Sequence, residues 1–282
     1  MALIPPFFLN CVVAIGFLTT NGTKDFVATG FLYGDPAPQE QVQGEGQQIK
    51  PYYVYLVTNR HVFEGQQRAF ILFNPIGTEP ARDYELPLVD KDNKILWFAH
   101  PDPDIDIAII RINPKVLREE KMQFSYFHSD EHILDLATAK DIGLTEGDGV
   151  FVLGFPMRLV GKERNYAIVR EGSIARIQDA LAETEKEFII DSFIFPGNSG
   201  GPVINKPELL SIEGTKKAIN TAYLIGVVKG FITYKDVAIS EQTKRPRIVF
   251  EENTGLTVVI PIHFVQKTIM EFISREKEQK LR

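Results

Sequence analysis

A chain of 282 residues, 44% hydrophobic and 24% charged, is long and apolar enough to bury a core as one large domain or two small ones, which excludes a disordered tail. Thirty-one basic against 37 acidic side chains leave a formal net charge of −6, and no run of Lys or Arg gathers into a stripe, so no nucleic-acid partner is expected. The single cysteine, Cys11, excludes an internal disulfide framework and a Cys-based metal site.

The apolar opening has no Lys or Arg before Lys24 and is interrupted by Pro5-Pro6 and Asn10. It reads as structure rather than a leader and falls short of a membrane span. A cytoplasmic location and no membrane partner are the resulting expectations. Phe7 to Thr20, Asn21-Gly22 and Phe26 to Tyr33 read as strand, turn and strand, because Asn-Gly readily takes the positive φ angles of a tight hairpin. Gly34 to Lys50 is rich in Gln, Gly, Pro and Glu and reads as a long exposed loop.

Further strands are predicted at Tyr53 to Thr58, Ala69 to Phe73, Ile107 to Ile112, Val150 to Gly154, Tyr166 to Val169, Phe188 to Asp191 and Tyr223 to Val228. Many short strands with no alternating helices favour an all-β protein, barrels or a sandwich, over a doubly wound sheet. Lys206 to Ala218 and Tyr234 to Asn253 read as polar insertions, solvated loops first and cleft walls as the sharper alternative. Ile262, Val265, Ile269, Phe272 and Ile273 recur at helical spacing, so a C-terminal amphipathic helix from Ile262 to Lys280 should dock on the body.

The chemistry concentrates in Phe195-Pro196-Gly197-Asn198-Ser199-Gly200-Gly201-Pro202-Val203. Glycines on both sides let the backbone fold tightly around Ser199 and aim N–H groups into one small space. A serine hydroxyl is a poor nucleophile at neutral pH and needs a base, itself oriented by a third group. Among five histidines, His61 lies just past an apolar strand, where it can project into a cleft, whereas His100, His128, His132 and His263 read as surface or satisfied side chains. His128 and His132 are four apart and could share a helical face as metal ligands, but no third ligand is evident, so no metal is expected. Asp106, before the run Ile107-Ala108-Ile109-Ile110, suits a carboxylate buried at a strand end. Asp102 and Asp104 read as turn chemistry, and Cys11 as a buried small hydrophobe.

The order His61, Asp106, Ser199, with TNRHV, DIDIAII, GDGVFVLGFP and PGNSGGPV around those residues, resembles the chymotrypsin-like serine peptidases. Within them it is most similar to the disulfide-free branch of the HtrA/Deg proteases and the glutamyl endopeptidases. The resemblance runs from about Val12 to Ile260-Pro261. It implies two six-stranded antiparallel β-barrels, residues 1–125 with His61 and Asp106 and residues 126–261 with Ser199, followed by the C-terminal helix at 262–282. It also implies a serine endopeptidase acting on protein or peptide substrates, with Ser199 as nucleophile, His61 as base and Asp106 as its orienting acid. The turn Gly197, Asn198, Ser199 would form the oxyanion hole, its donors being the N–H groups of Gly197 and Ser199. No cofactor is implied, since acyl transfer is complete within these side chains.

Departures from the family pattern sharpen the expectation. Val62 stands where the disulfide-bonded branch has Cys. Asn198 replaces the acid that pairs with a freshly cut amino terminus, so no activation of that kind is expected. Regulation by a PDZ domain like that of the HtrA proteins is not expected. By the same resemblance the substrate pocket has its floor near Phe193 and a wall along Val228, Lys229 and Gly230, which suits small or aliphatic residues. Lys229 occupies a place that usually holds a small polar side chain, and could point inward to attract an acidic residue or disturb Asp106. Two other readings compete: a double barrel that binds without cleaving or waits for a regulatory partner, and a structural β protein in which the Gly-rich segment is only a tight turn.

Overall fold

The apolar runs of the first half are continuous rather than alternating because both of their faces are covered. A computed structural model describes residues 3–37, 50–161, 163–208 and 220–280. The first nine strands are β1 (Val12–Leu18), β2 (Lys24–Pro36), β3 (Tyr52–Thr58), β4 (Arg68–Pro75), β5 (Arg82–Pro87), β6 (Phe98–Ala99), β7 (Ala108–Ile112), β8 (Met122–Gln123) and β9 (Phe127–His128). They form one curved sheet in the order β5-β4-β1-β2-β3-β7-β6, with β8 on β4 and β9 on β2. On β3, Val54 and Leu56 point into the concave core while Tyr55 and Val57 face a second core shared with the other half. On β7, Ala108 and Ile110 face the first core and Ile109 the second. A strand buried on both faces must be apolar at successive positions.

The second half is a closed barrel, β10 (Gly149–Gly154), β11 (Ile168–Arg176), β12 (Phe188–Asp191), β15 (Pro246–Pro261), β14 (Leu224–Ile239) and β13 (Pro202–Asn205), each pairing with the next around the ring. Val150, Ile174, Ile190, Ile225 and Val259 fill its interior, whereas Leu153, Ile204, Leu224, Val227 and Ile260 face the first sheet. The first sheet departs from the expected six-stranded barrel. Its two edges meet at the bridge between Val89 and Ile95, flanked by the Leu96 N–H donating to Leu88 O at 3.0 Å and the Asp90 N–H donating to Lys94 O at 2.9 Å. β6 is two residues long and cannot carry a full closing ladder. β9 lies past Ser125 and still pairs with β2.

Three local expectations are corrected. Pro6–Leu9 is a single helical turn and β1 starts only at Val12, because Pro at the first helical position lacks an N–H the helix would not use and has its φ already set. The Tyr166 to Val169 strand runs instead from Ile168 to Arg176, continuing through Gly172, whose added Cβ would lie 2.3 Å from Asp191 O. Tyr234 to Asn253 is no loop: β14 and β15 stay paired from Gly226–Pro261 out to Ile239–Pro246 and leave the barrel as a two-stranded ribbon. Charged residues intersperse its apolar ones because both ribbon faces are wet, and Lys235 and Glu251, opposite each other, pair at 3.3 Å. Most of the Gly34 to Lys50 and Lys206 to Ala218 expectations fall on residues 38–49 and 209–219, outside the described residues.

The C-terminal helix is His263–Lys280. Val265 and Ile269 are fully buried in the shared core, and Phe272 meets Tyr55 edge-on at 6.0 Å. No helix among the described residues is long and apolar enough to cross a membrane. At the helix start, burial, reinforced by the charges of Lys267 and His100 and opposed by Asp135, pushes the His263 imidazole down to about 4. A lowered histidine pKa stabilises the fold above its unfolded value near 6.5, and this contribution is lost as pH falls toward the folded value. Thermal unfolding followed from pH 7 to pH 4 is expected to show an acid-side decline that His263→Phe reduces. An identical decline in the variant would place the sensitivity elsewhere.

Candidate active site

Where β3 ends, Asn59 opens the single helical turn Arg60–Phe63 that carries His61. Asn59 is fully buried, and its amide donates to the Asp106 carbonyl at 2.8 Å, tying the histidine turn to the start of β7. The Arg60 guanidinium donates to the carbonyls of His100 at 2.6 Å, Asp102 at 3.1 Å and Ile105 at 3.2 Å, so it holds the 100–106 loop from within. The Asp106 carboxylate then makes two contacts with one residue: Oδ2 lies 2.6 Å from His61 Nδ1, and Oδ1 accepts the His61 backbone N–H at 3.0 Å. The imidazole is half-exposed and the carboxylate largely covered. Burial pushes the Asp106 carboxyl up, but the hydrogen bonds from His61 and the charges of His61 and Lys229 outweigh it and hold the group below the ordinary carboxylate value. An ionised acceptor at Nδ1 keeps that nitrogen protonated and leaves the ring's lone pair on Nε2.

The Ser199 turn is built against the first sheet. Gly197 and Gly200 have φ of +105° and +81°, and a Cβ on Gly197 would lie 2.3 Å from Phe155 O. Thr29 of β2 binds this turn at two points: its N–H donates to Ser199 O at 3.0 Å and its hydroxyl to Gly197 O at 2.6 Å. The same hydroxyl accepts the Phe155 N–H at 3.0 Å, and Thr58 at the end of β3 donates to Thr29 O at 2.8 Å. Asn198 N–H is taken by Phe195 O at 3.0 Å, whereas among the described residues the N–H groups of Gly197 and Ser199 have no acceptor. Two unengaged donors beside a half-buried serine are what an oxyanion site needs. Among the described residues no hydrogen bond engages the Ser199 hydroxyl, that to His61 included.

Comparison with known proteins decides the family. A family model for the trypsin-like peptidase domain matches residues 28–208, a stretch that contains His61, Asp106 and Ser199. The chain belongs to the trypsin-like peptidase family. It is also similar to a probable periplasmic serine endoprotease, DegP-like, of Chlamydia pneumoniae, at 27% identity over 191 residues. That match covers 68% of this chain and 31% of the relative, so this chain spans about a third of the relative's length.

The expected pocket residues of this trypsin-like peptidase differ in burial. Phe193 is 51% exposed and its ring lies over Gly255. The reason is strand alternation: Ser192 N–H donates to Gly255 O and Thr257 to Ser192 O, so Ser192 and Ile194 turn inward and Phe193 outward. Val228 is fully buried in the barrel core, and its N–H and carbonyl bond the backbone of Gly201 and Gly200. A Cβ added to Gly230 would meet nothing within 4 Å, so the space there is open. Lys229 pairs with Glu187 at 2.5 Å and leaves the His61–Asp106 contact intact.

The histidine cluster also gains a member. Glu131 stands between His128, at 3.3 Å, and His132, at 3.8 Å. Because His132 Nδ1 accepts the His128 backbone N–H at 2.9 Å, the neutral ring carries its proton on Nε2, the nitrogen facing Glu131, and has no lone pair there for a metal. Cys11 is fully buried, with its thiol pushed up by burial, the opposite of a reactive thiolate.

Thr29 had no signal in the sequence beyond its place in a predicted strand, yet it joins the two halves at the Ser199 turn. Thr29→Val would leave the Phe155 N–H and the Gly197 carbonyl without their partner. The expected result is a loss of about 2–5 kcal/mol of stability, measured by denaturant unfolding. A variant within about 0.5 kcal/mol of the parent, the range of ordinary surface changes, would show that the turn is held otherwise.

Proposed function

We propose that the protein is a serine endopeptidase that cleaves peptide bonds through an acyl-enzyme on Ser199. The observation that carries this reading is the doubly bonded His61–Asp106 pair, 2.6 Å at Nδ1 and 3.0 Å at the backbone N–H. It presents a basic nitrogen at the rim of the cleft in a chain whose family is that of trypsin-like peptidases. Ser199 attacks the scissile carbonyl as His61 takes its proton, and the N–H groups of Gly197 and Ser199 receive the developing oxyanion. The protonated His61 then gives its proton to the leaving amine, and water repeats the sequence to free the acid. Membership of the family and the similarity to a serine endoprotease both support a peptide substrate.

Catalytic hydrogen bonds are often long in unliganded sites and tighten with substrate, which is how this reading accounts for the Ser199 hydroxyl making no hydrogen bond to His61. The missing bond also favours a second reading, a double-barrel module whose cleft is assembled only when a partner binds. Intact mass after treatment with a fluorophosphonate separates the two. A single adduct on the parent, absent from Ser199→Ala and strongly slowed in His61→Ala, is expected. No adduct on folded parent protein would favour the second reading.

A further inference from the structure

Beside His61 and Asp106 lies a cavity of about 680 Å³, within the roughly 300–1,000 Å³ of ligand clefts, yet unlike most of them it is walled by charge rather than by apolar surface. Three cations and five carboxylates line it. Each cation is already engaged. The Arg60 guanidinium is held by the loop carbonyls described above; Lys186 pairs with Asp102 at 2.7 Å and Asp104 at 2.9 Å; Lys229 pairs with Glu187 at 2.5 Å. Asp106 belongs to His61. That leaves Glu64 and Glu185, both exposed, whose carboxylates have no partner among the described residues. They face the cavity from opposite halves of the molecule, Glu64 at the end of the His61 turn and Glu185 in the loop before β12.

We propose that this cavity receives a cationic side chain of the substrate, Lys or Arg, at a residue flanking the bond that is cut. The inference rests on the peptidase reading and adds a substrate class to it. An incoming ammonium or guanidinium meets two unpaired carboxylates and a surplus of negative charge between protein walls, where fields are focused. An incoming carboxylate would have to displace Glu187 from Lys229 and face the remaining acids, so attraction of an acidic residue by Lys229 is disfavoured. Ser199 does not line the cavity, so the preference falls on a substrate position neighbouring the residue whose carbonyl is attacked.

The test uses the full chain with Ser199→Ala, so that peptides bind without being cut, and dye-labelled octapeptides carrying Lys or norleucine at successive positions, read by fluorescence anisotropy. One position is expected to favour Lys about fivefold to tenfold at low ionic strength, with the advantage shrinking in about 0.5 M NaCl. Adding Glu64→Gln and Glu185→Gln should bring the ratio below about twofold, whereas Lys186→Met, which releases two carboxylates, should raise it. No Lys advantage at any position, or one unchanged in the double variant, overturns the proposal. Fluorophosphonate labelling of the parent reports separately on Ser199. An adduct with a flat binding profile would defeat this inference alone, and a Lys preference without an adduct would defeat the peptidase reading alone.

Discussion

Asp106→Asn is expected to lower the rate of fluorophosphonate labelling and of peptide cleavage by about 10⁴-fold, the cost of the wrong imidazole tautomer in a site of this kind, while the protein remains folded. The reason lies in the two contacts the carboxylate makes. An asparagine placed here can keep its carbonyl on the His61 backbone N–H, now 3.0 Å from Oδ1, only by turning its amide toward Nδ1. An N–H facing Nδ1 forces that nitrogen to accept, so the ring proton moves to Nε2 and His61 can no longer take a proton from Ser199. Second-order labelling rates measured beside melting temperatures separate this from unfolding. A loss smaller than about tenfold, worth under 1.4 kcal/mol of barrier, would mean that Asp106 does not orient the base.

Gly200→Ala is expected to be the most destabilising single-methyl change around the site, by about 3–5 kcal/mol, with labelling lost alongside. Two costs combine. The φ of +81° disfavours any L side chain by about 1–2 kcal/mol. In addition the new Cβ would lie 2.2 Å from both Thr29 O and Thr58 Oγ1, and overpacking of this kind costs about 1–3 kcal/mol before the backbone shift is counted. Gly22→Ala is the control, because φ there is +76° but nothing stands within 4 Å of the added carbon. It should cost only the conformational part, about 1–2 kcal/mol. Equal losses in the two variants, read from urea unfolding, would remove the packing argument and with it the idea that the Ser199 turn is seated against Thr29 and Thr58.

Much of the architecture was legible because a few residue types have one cheap use. Strands β3, β7, β10 and β12 were found within a residue or two, since runs such as Tyr53 to Thr58 have strong β preference and clear turn residues around them. The ribbon from Tyr234 to Asn253 was not. Its strands lie in water on both faces, so no apolar alternation marks them, and only the pairing of β14 with β15 makes them strands. The face that Phe193 presents was illegible for a related reason. Counting back from Ser199 gives a position but not a face, and the face was set by the hydrogen bonds of Ser192 and Thr257 to segments more than sixty residues away.

Read along the chain alone, the residues yield an inventory and its order: a disulfide-free, mildly acidic chain with few helices, one serine in a Gly-rich turn, and one histidine and one aspartate each placed at the end or start of an apolar strand. Local chemistry is enough for this, because capping, turn formation and strand preference act over a few residues. Long-range packing set the rest: His61 and Asp106 meet at 2.6 Å, Lys229 pairs with Glu187, Thr29 holds the Ser199 turn, and two unpaired glutamates from different halves share one cavity. Each of these brings together segments distant in the chain, and its geometry follows from how the first sheet packs on the closed barrel over a shared core rather than from any neighbour in sequence.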